Sequence, residues 1–261
     1  MSEVTTELRV LAMYGVFATA REPRRLSDLA SELGIATSSC FALVRRLVAE
    51  GYLYEVAERG GYYPTEKLHE RTKIISAHHP VLMHISSTLQ DLHSRTNETV
   101  ALGRRDGAQV LYLAAYESQQ DIRLAGRAGY RRPLYANSSG KALLGGCTEQ
   151  ERKEILAAAG FLDGQQLRPV GPKTLMTLAA LEQDIKASEA RGWYLSDSES
   201  LSGTMAMAVR ISLALGNYAI QVAGPRERMH AAQDYISGLL VDAARTIGAT
   251  HYGEMAPAVD P

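Results

Sequence analysis

The sequence predicts an α+β chain built as two folded domains joined by a helical linker. Three observations carry this expectation. With 261 residues, 46% of them hydrophobic, the chain has material for two packed cores. The first 65 residues carry three short helical stripes and then an alternating pair of segments. Beyond residue 79, alternating pairs are interleaved with longer helical stripes, which points to antiparallel sheet covered by helices. The expected divisions are 1–65, a linker over 66–78, a larger domain over 79–250 and a disordered tail over 251–261.

The first helix is predicted from the apolar residues Leu8, Leu11, Tyr14 and Val16 to Ala18. It should end before Arg21-Glu22-Pro23, because a residue preceding proline is pushed out of the α region. Ser27 is placed to cap a second helix, Asp28 to Leu33, with Gly34 as a left-handed stop. A third helix follows Thr37 as its cap and stops at Gly51. Phe41, Val44, Leu47 and Val48 should be its buried face, leaving Ser38, Ser39, Ala42, Arg45 and Arg46 to solvent. Tyr52 to Val56 alternates, E-R-G-G at 58–61 reads as a hairpin turn, and Tyr62-Tyr63-Pro64 returns as a strand. Helix, short helix, glycine turn, helix and hairpin describe a winged helix-turn-helix.

A polar helix from Glu66 to about Ala77 is interrupted by His78-His79-Pro80. A longer helix then carries Val81, Ile85, Leu89 and Leu92. Strands are expected at Thr99 to Arg104 and Val110 to Tyr116, with Asp106-Gly107 turning between them, and a short one at Ile122 to Leu124. T-E-Q-E at 148–151 is a capping box for a helix to about Ala159, and Leu178, Leu181 and Ile185 mark a helix ending near Gly192. Strands at Met205 to Ile211 and Tyr218 to Ala223 precede a final helix from about Arg228 to Ile247.

Several function classes are disfavoured. No run approaches a membrane span, and the acidic start M-S-E-V-T-T-E-L-R is unlike a secretion signal, so a cytoplasmic protein is expected. Cys40 and Cys147 lack metal or disulfide spacing, and His78, His79, His84 and His93 do not share a helical face; no metal or cofactor is expected. Ser138, Asp197 and His230 lack the nucleophile elbow of a hydrolase, so no enzyme is expected. The stretch Y-A-N-S-S-G-K-A at 135–142 invites comparison with a nucleotide-gripping loop. Tyr135 stands where its first glycine belongs, and Ala142 where its magnesium-binding hydroxyl belongs. What remains is a helix start whose amides and dipole favour an anion and whose Ser138 and Ser139 offer hydroxyls. Lys141, one turn on, is left to packing or solvation.

A helix entering the major groove needs small or hydrogen-bonding residues at its first turn and cations behind them. Thr37, Ser38, Ser39, Arg45 and Arg46 meet that need. Arg24, Arg25 and Ser27 in the preceding loop and Arg59 at the wing tip are placed for backbone contacts. Residues 1–75 hold ten Lys plus Arg and ten Asp plus Glu, so a single copy supplies little attraction to DNA. A homodimer or dimer of dimers would restore it by neutralising more phosphates. The neutral charge leaves open a rival reading, a sensor module that has lost DNA binding and acts through protein partners.

In its order of parts and its motifs the chain resembles the IclR family of bacterial transcription regulators. The matching stretches are L-R-V-L at 8–11, L-S-D-L-A-S-E-L-G-I at 26–35, E-G-Y-L at 50–53, I-R-L at 122–124, R-P-L-Y-A-N-S-S-G-K-A-L-L at 132–144, R-G-W-Y-L-S-D-S-E at 191–199 and A-G-P at 223–225. The resemblance implies a GAF/profilin-like α/β/α domain that binds a small-molecule effector, often an organic acid or aromatic catabolite, and a repressor or activator bound to double-stranded operator DNA. It carries over a pocket at Leu124, Arg132, Ser138, Ser139, Asp197, Thr204, Ala206, Gln221 and Ala223. The recognition helix has Thr37, Phe41 and Ala42 where the family usually has Lys, an aromatic or His, and Arg, so two usual phosphate or base contacts are missing. It departs again at Ala206, often cysteine, and at Val209-Arg210, usually Ala-Pro.

Overall fold

The computed structural model describes residues 6–56 and 60–254, and the side chains among them except those of 77 and 249–254. The chain divides between His79 and Pro80 into two compact units. Arg59 and the tail beyond 254 lie outside the described residues.

The first unit opens with α1 (Thr6–Ala20), which buries Met13 and Phe17. Leu8 and Leu11, expected on its inner face, are exposed, because the core meets the helix further along, at Met13, Val16 and Phe17. The helix stops where predicted, and Arg21 takes φ +57° before Pro23. Helix α2 (Leu26–Glu32) starts two residues earlier than expected: Arg25 holds the cap position, and Ser27 lies inside the helix donating to Asp28 Oδ1 at 3.2 Å. Helix α3 (Thr37–Ala49) is capped at Ala36 without a side-chain bond, so Thr37 is its first residue and not its cap. Its buried residues are Cys40 and Val44, with Leu43 and Leu47 packed against the core; the expected Val44 and Leu47 thus face inward, whereas Phe41, 44% exposed, and Val48, 38%, do not. Strands β1 (Leu53–Val56) and β2 (Gly61–Pro64) pair antiparallel, and Arg24 bridges to Tyr62, adding a one-residue third strand from the loop before α2. Helix α4 (Lys67–Ala77) closes the unit.

The second unit begins with α5 (Pro80–Thr96), followed by β3 (Thr99–Asp106) and β4 (Gln109–Tyr116), which are joined at Gly107 with φ +61°. The expected strand at Ile122 to Leu124 is loop: the segment is held sideways, Thr99 Oγ1 donating to Leu124 O at 2.6 Å. Next come β5 (Arg131–Pro133), α6 (Ser138–Gly145), α7 (Glu149–Ala158) with its capping box, the small hairpin β6 (Leu162–Asp163) and β7 (Gln166–Leu167), and α8 (Leu178–Arg191), ended by Gly192 at φ +86°. Strand β8 (Tyr194–Asp197), which alternation did not reveal, precedes β9 (Thr204–Leu213) and β10 (Gly216–Pro225). The single final helix expected is two, α9 (Arg226–Ala231) and α10 (Gln233–Glu254), broken at Ala232.

Six strands form one antiparallel sheet in the order β5-β4-β3-β10-β9-β8. Period-two alternation decides its two faces. Val100, Leu102, Met205, Met207, Val209, Ile220 and Val222 pack against α5, α9 and α10. The opposite face carries smaller residues, Ala101, Ala208 and Ala219, against α6 and α8. Small residues let α6 lie close: a Cβ on Gly140 would overlap the backbone of Leu134, and one on Gly145 the Tyr194 hydroxyl. Two helical layers around one sheet form the expected α/β/α sandwich.

Candidate functional site

Where the small-residue face runs past the start of α6, it leaves a cavity of about 60 Å³. Ala101, Tyr112 and Gln221 form the sheet side, Leu124 to Arg127 one rim, and Ser200, Leu201 and Thr204 the other. Asn137 lies at the helix end: its side chain accepts from Gly140 N at 2.8 Å and donates to Pro133 O. That first turn is therefore capped by its own residue.

Three hydroxyls converge on Gln221. Its Oε1 accepts from Ser139 Oγ at 2.7 Å, Tyr112 OH at 3.1 Å and Ser138 Oγ at 3.3 Å. With Oε1 taken by these donors, Nε2 remains to donate elsewhere. Burial pushes the Tyr112 phenol up, opposed by its hydrogen bonds to Ser139 and Gln221 and by the charge of Arg132. The charges around the cavity are one-sided. Arg127 and Arg132 line it, and no carboxylate does. Their neighbours are paired, Arg123 with Glu117 at 2.7 Å and Arg131 with Asp106 at 3.0 Å, whereas Arg127 and Arg132 make no salt bridge among the described residues.

Of the expected effector residues, Leu124, Arg132, Thr204 and Gln221 line the cavity. Ser138 and Ser139 are fully buried behind Gln221 and reach the cavity through it. Ala206 and Ala223 lie buried on neighbouring strands at paired positions. Asp197 is held by Arg226 at 2.7 and 3.1 Å and by Lys173 at 3.1 Å, which keep its carboxyl down at about 2. Lys141, expected to be packed or solvated, is fully buried and paired with Glu199 at 2.7 Å and Asp184 at 2.8 Å. Sequence reasoning missed Tyr112, Asn137 and Arg127. The alternation of β4 marked Tyr112 as inward, but Arg127 sits in a patternless loop.

On the first unit, Thr37, Ser38, Ser39, Ala42, Arg45 and Arg46 form an exposed face of α3. Arg45 stacks over the Phe41 ring at 5.8 Å, and neither Arg45 nor Arg46 has a salt bridge among the described residues. Arg25 is exposed at the start of α2. Arg24 is already bound to Glu22 at 3.2 Å and Glu32 at 2.9 Å, which competes with any phosphate.

Comparison with known proteins places both units. Residues 8–57 match the IclR helix-turn-helix domain, and residues 73–249 match the bacterial transcriptional regulator IclR C-terminal domain. The HTH-type transcriptional regulator XynR of Escherichia coli is 26% identical over 203 residues, 78% of either chain. A transcriptional regulator from Rhodococcus superposes with TM-score 0.75 at 23% identity, covering 94% of this chain and 96% of that one. An IclR homologue from Microbacterium hydrocarbonoxydans, solved in complex with 4-hydroxybenzoate, superposes with TM-score 0.72 at 20% identity over 94% and 98%. Winged domain, six-stranded sensor sheet and these two domain matches together make the chain a member of the IclR family of transcription regulators, with a DNA-binding and an effector-binding domain.

Proposed function

We propose that α3 reads operator DNA through residues 37–46, with Arg25 on the backbone, and that the cavity holds a small organic acid whose carboxylate meets Arg132. One observation carries the choice of ligand: two guanidinium groups and no carboxylate line the cavity. An anion entering it needs no counter-ion of its own, whereas a cation would meet only repulsion. The Gln221 Nε2 group and the apolar Ala101, Leu124 and Leu201 suit an acid with an apolar body and a second acceptor. The 4-hydroxybenzoate bound to the Microbacterium homologue is an acid of that kind.

The protein acts as a homodimer or dimer of dimers in the cytoplasm, and it catalyses no reaction. Exposed Ile74 and Ile75 on α4 supply apolar surface for self-association. Titration calorimetry with acetate, pyruvate, benzoate and 4-hydroxybenzoate tests the ligand class. At least one acid should bind the wild type and bind Arg132→Ala roughly ten- to a hundred-fold more weakly, the loss of a charge-assisted bond. Binding by none, or equal binding by the variant, removes the assignment. The rival sensor reading draws on the balanced charge of residues 1–75. A gel shift with the DNA flanking the protein's own gene separates the two, since the rival predicts no specific complex.

A further inference from the structure

Helix α6 joins two parts of the cavity wall that are far apart in sequence. At its first turn Ser138 and Ser139 donate to Gln221; less than a turn later Lys141, with no exposed surface, donates to Glu199 Oε1 at 2.7 Å and pairs with Asp184 Oδ2 at 2.8 Å. Glu199 opens the run that places Ser200 and Leu201 in the rim and returns at Thr204. This run is not regular structure. Ser198 takes φ +59° and Gly203 φ +71°, and Leu201 is 48% exposed. Its internal ties include Ser198 N to Thr204 O at 2.8 Å and Thr204 Oγ1 to Leu201 O at 2.7 Å; from outside, Thr174 Oγ1 donates to Glu199 O at 2.7 Å, and the amides of Lys173 and Arg226 hold its two ends at Ser198 O and Gly203 O, leaving the side chain of Glu199 to tie its middle to α6. The second Glu199 oxygen, Oε2, is buried with no hydrogen-bond partner among the described residues, so Lys141 is the cation that the carboxylate meets, beside a backbone hydrogen bond from Asp197. A buried ammonium in turn requires its counter-ions, and each group thereby fixes the other's place.

We propose that Lys141 is a positioning residue for the effector site, its ammonium fastening residues 198–203 to α6 so that Ser200, Leu201 and Thr204 close against the ligand. The lysine that ends the S-S-G-K stretch thus serves the cavity without touching its contents. The inference rests on the cavity being the effector site, and the test keeps the two claims apart. Hydrogen–deuterium exchange on the full-length protein without ligand compares wild type, Lys141→Met, Glu199→Gln and the double variant. Both single variants should exchange about tenfold faster in peptides covering 198–203 and at the wild-type rate in β3 and β10. The double variant should be no faster than Lys141→Met, because both changes break one interaction.

Wild-type exchange in 198–203 for both single variants, or additive effects in the double, would overturn the proposal. Glu199→Gln is nearly isosteric and keeps Lys141 paired with Asp184, so it decides the matter if Lys141→Met fails to fold. The same four proteins are then titrated with benzoate and 4-hydroxybenzoate. Acids that bind wild type should bind both single variants at least about fivefold more weakly. Unchanged affinity beside faster exchange would overturn the positioning role. Absence of binding to wild type together with wild-type exchange in the variants would sink both claims, whereas absence of binding with loosened 198–203 sinks the cavity reading and keeps the clamp.

Discussion

The amide oxygen of Gln221 is met by three hydroxyl donors from two elements, β4 and α6, and these bonds fix the orientation of its side chain. Removing the shortest of the three bonds should blur the direction of Nε2. Ser139→Ala is expected to weaken binding of the best carboxylate roughly tenfold, about one hydrogen bond, as read by calorimetry. Glu199 supplies a pH test. Burial pushes its carboxyl up to about 7, against the pull of Lys141, and Asp184 adds to the rise. The folded state therefore holds this proton more tightly than the unfolded chain. Its contribution to stability is complete below the ordinary carboxylate range and is lost as pH rises through 7. Thermal or urea unfolding between pH 4.5 and 7.5 should show this decline, on the order of 1–3 kcal/mol, and Glu199→Gln should flatten it. An equal slope in the variant would mean that another group titrates. The charge of Lys141 was legible in the sequence, but its burial was not, because Asp184 and Glu199 reach it only through the fold.

At the scale of elements, α6 is the piece that the sequence marked most clearly and whose role changed most. Its Ser-Ser-Gly run after R-P-L-Y-A announced a helix start, and that start is observed, with Asn137 as the cap that sequence reasoning missed. An open anion cradle was expected there, but the Asn137 side chain takes the Gly140 amide and Gln221 takes both serine hydroxyls. Close approach is what the glycine in this turn provides. Gly140→Ala should cost about 2 kcal/mol or more in urea unfolding, because backbone and not a flexible side chain occupies the space. A loss below about 0.5 kcal/mol would contradict the packing described. Elements with strong periodicity, such as α5, α8, β9 and β10, were legible. Strand β8 was not, since its W-Y-L-S-D-S-E context offers no clean alternation. The face of α3 was read half correctly: Val44 and Leu47 meet the core as expected, but Phe41 and Val48, which continue a plausible apolar stripe, are exposed, and Cys40 and Leu43 take their place.

At the scale of the whole molecule, two domains with separate ligands make a regulator only if the ligands bind with coupled free energies. The DNA side has its own check. Arg45→Ala with Arg46→Ala should weaken the operator complex and reduce its salt slope by about one to two units, one for each phosphate left without its arginine. An unchanged slope in a gel-shift salt series would remove α3 from the phosphate backbone. The two-domain order and the winged topology were readable from patterns a few residues long. The cavity was not, since its walls come from β3, β4, β10, the 124–132 loop and the 198–204 run, which only the closed sheet brings together. The most direct test of the account is operator affinity by fluorescence anisotropy, on DNA flanking the protein's own gene, with and without a small carboxylate that binds the protein. The account predicts a shift of about fivefold or more in operator affinity that disappears in Arg132→Ala. An affinity untouched by any bound acid, or a shift that persists without Arg132, would contradict it.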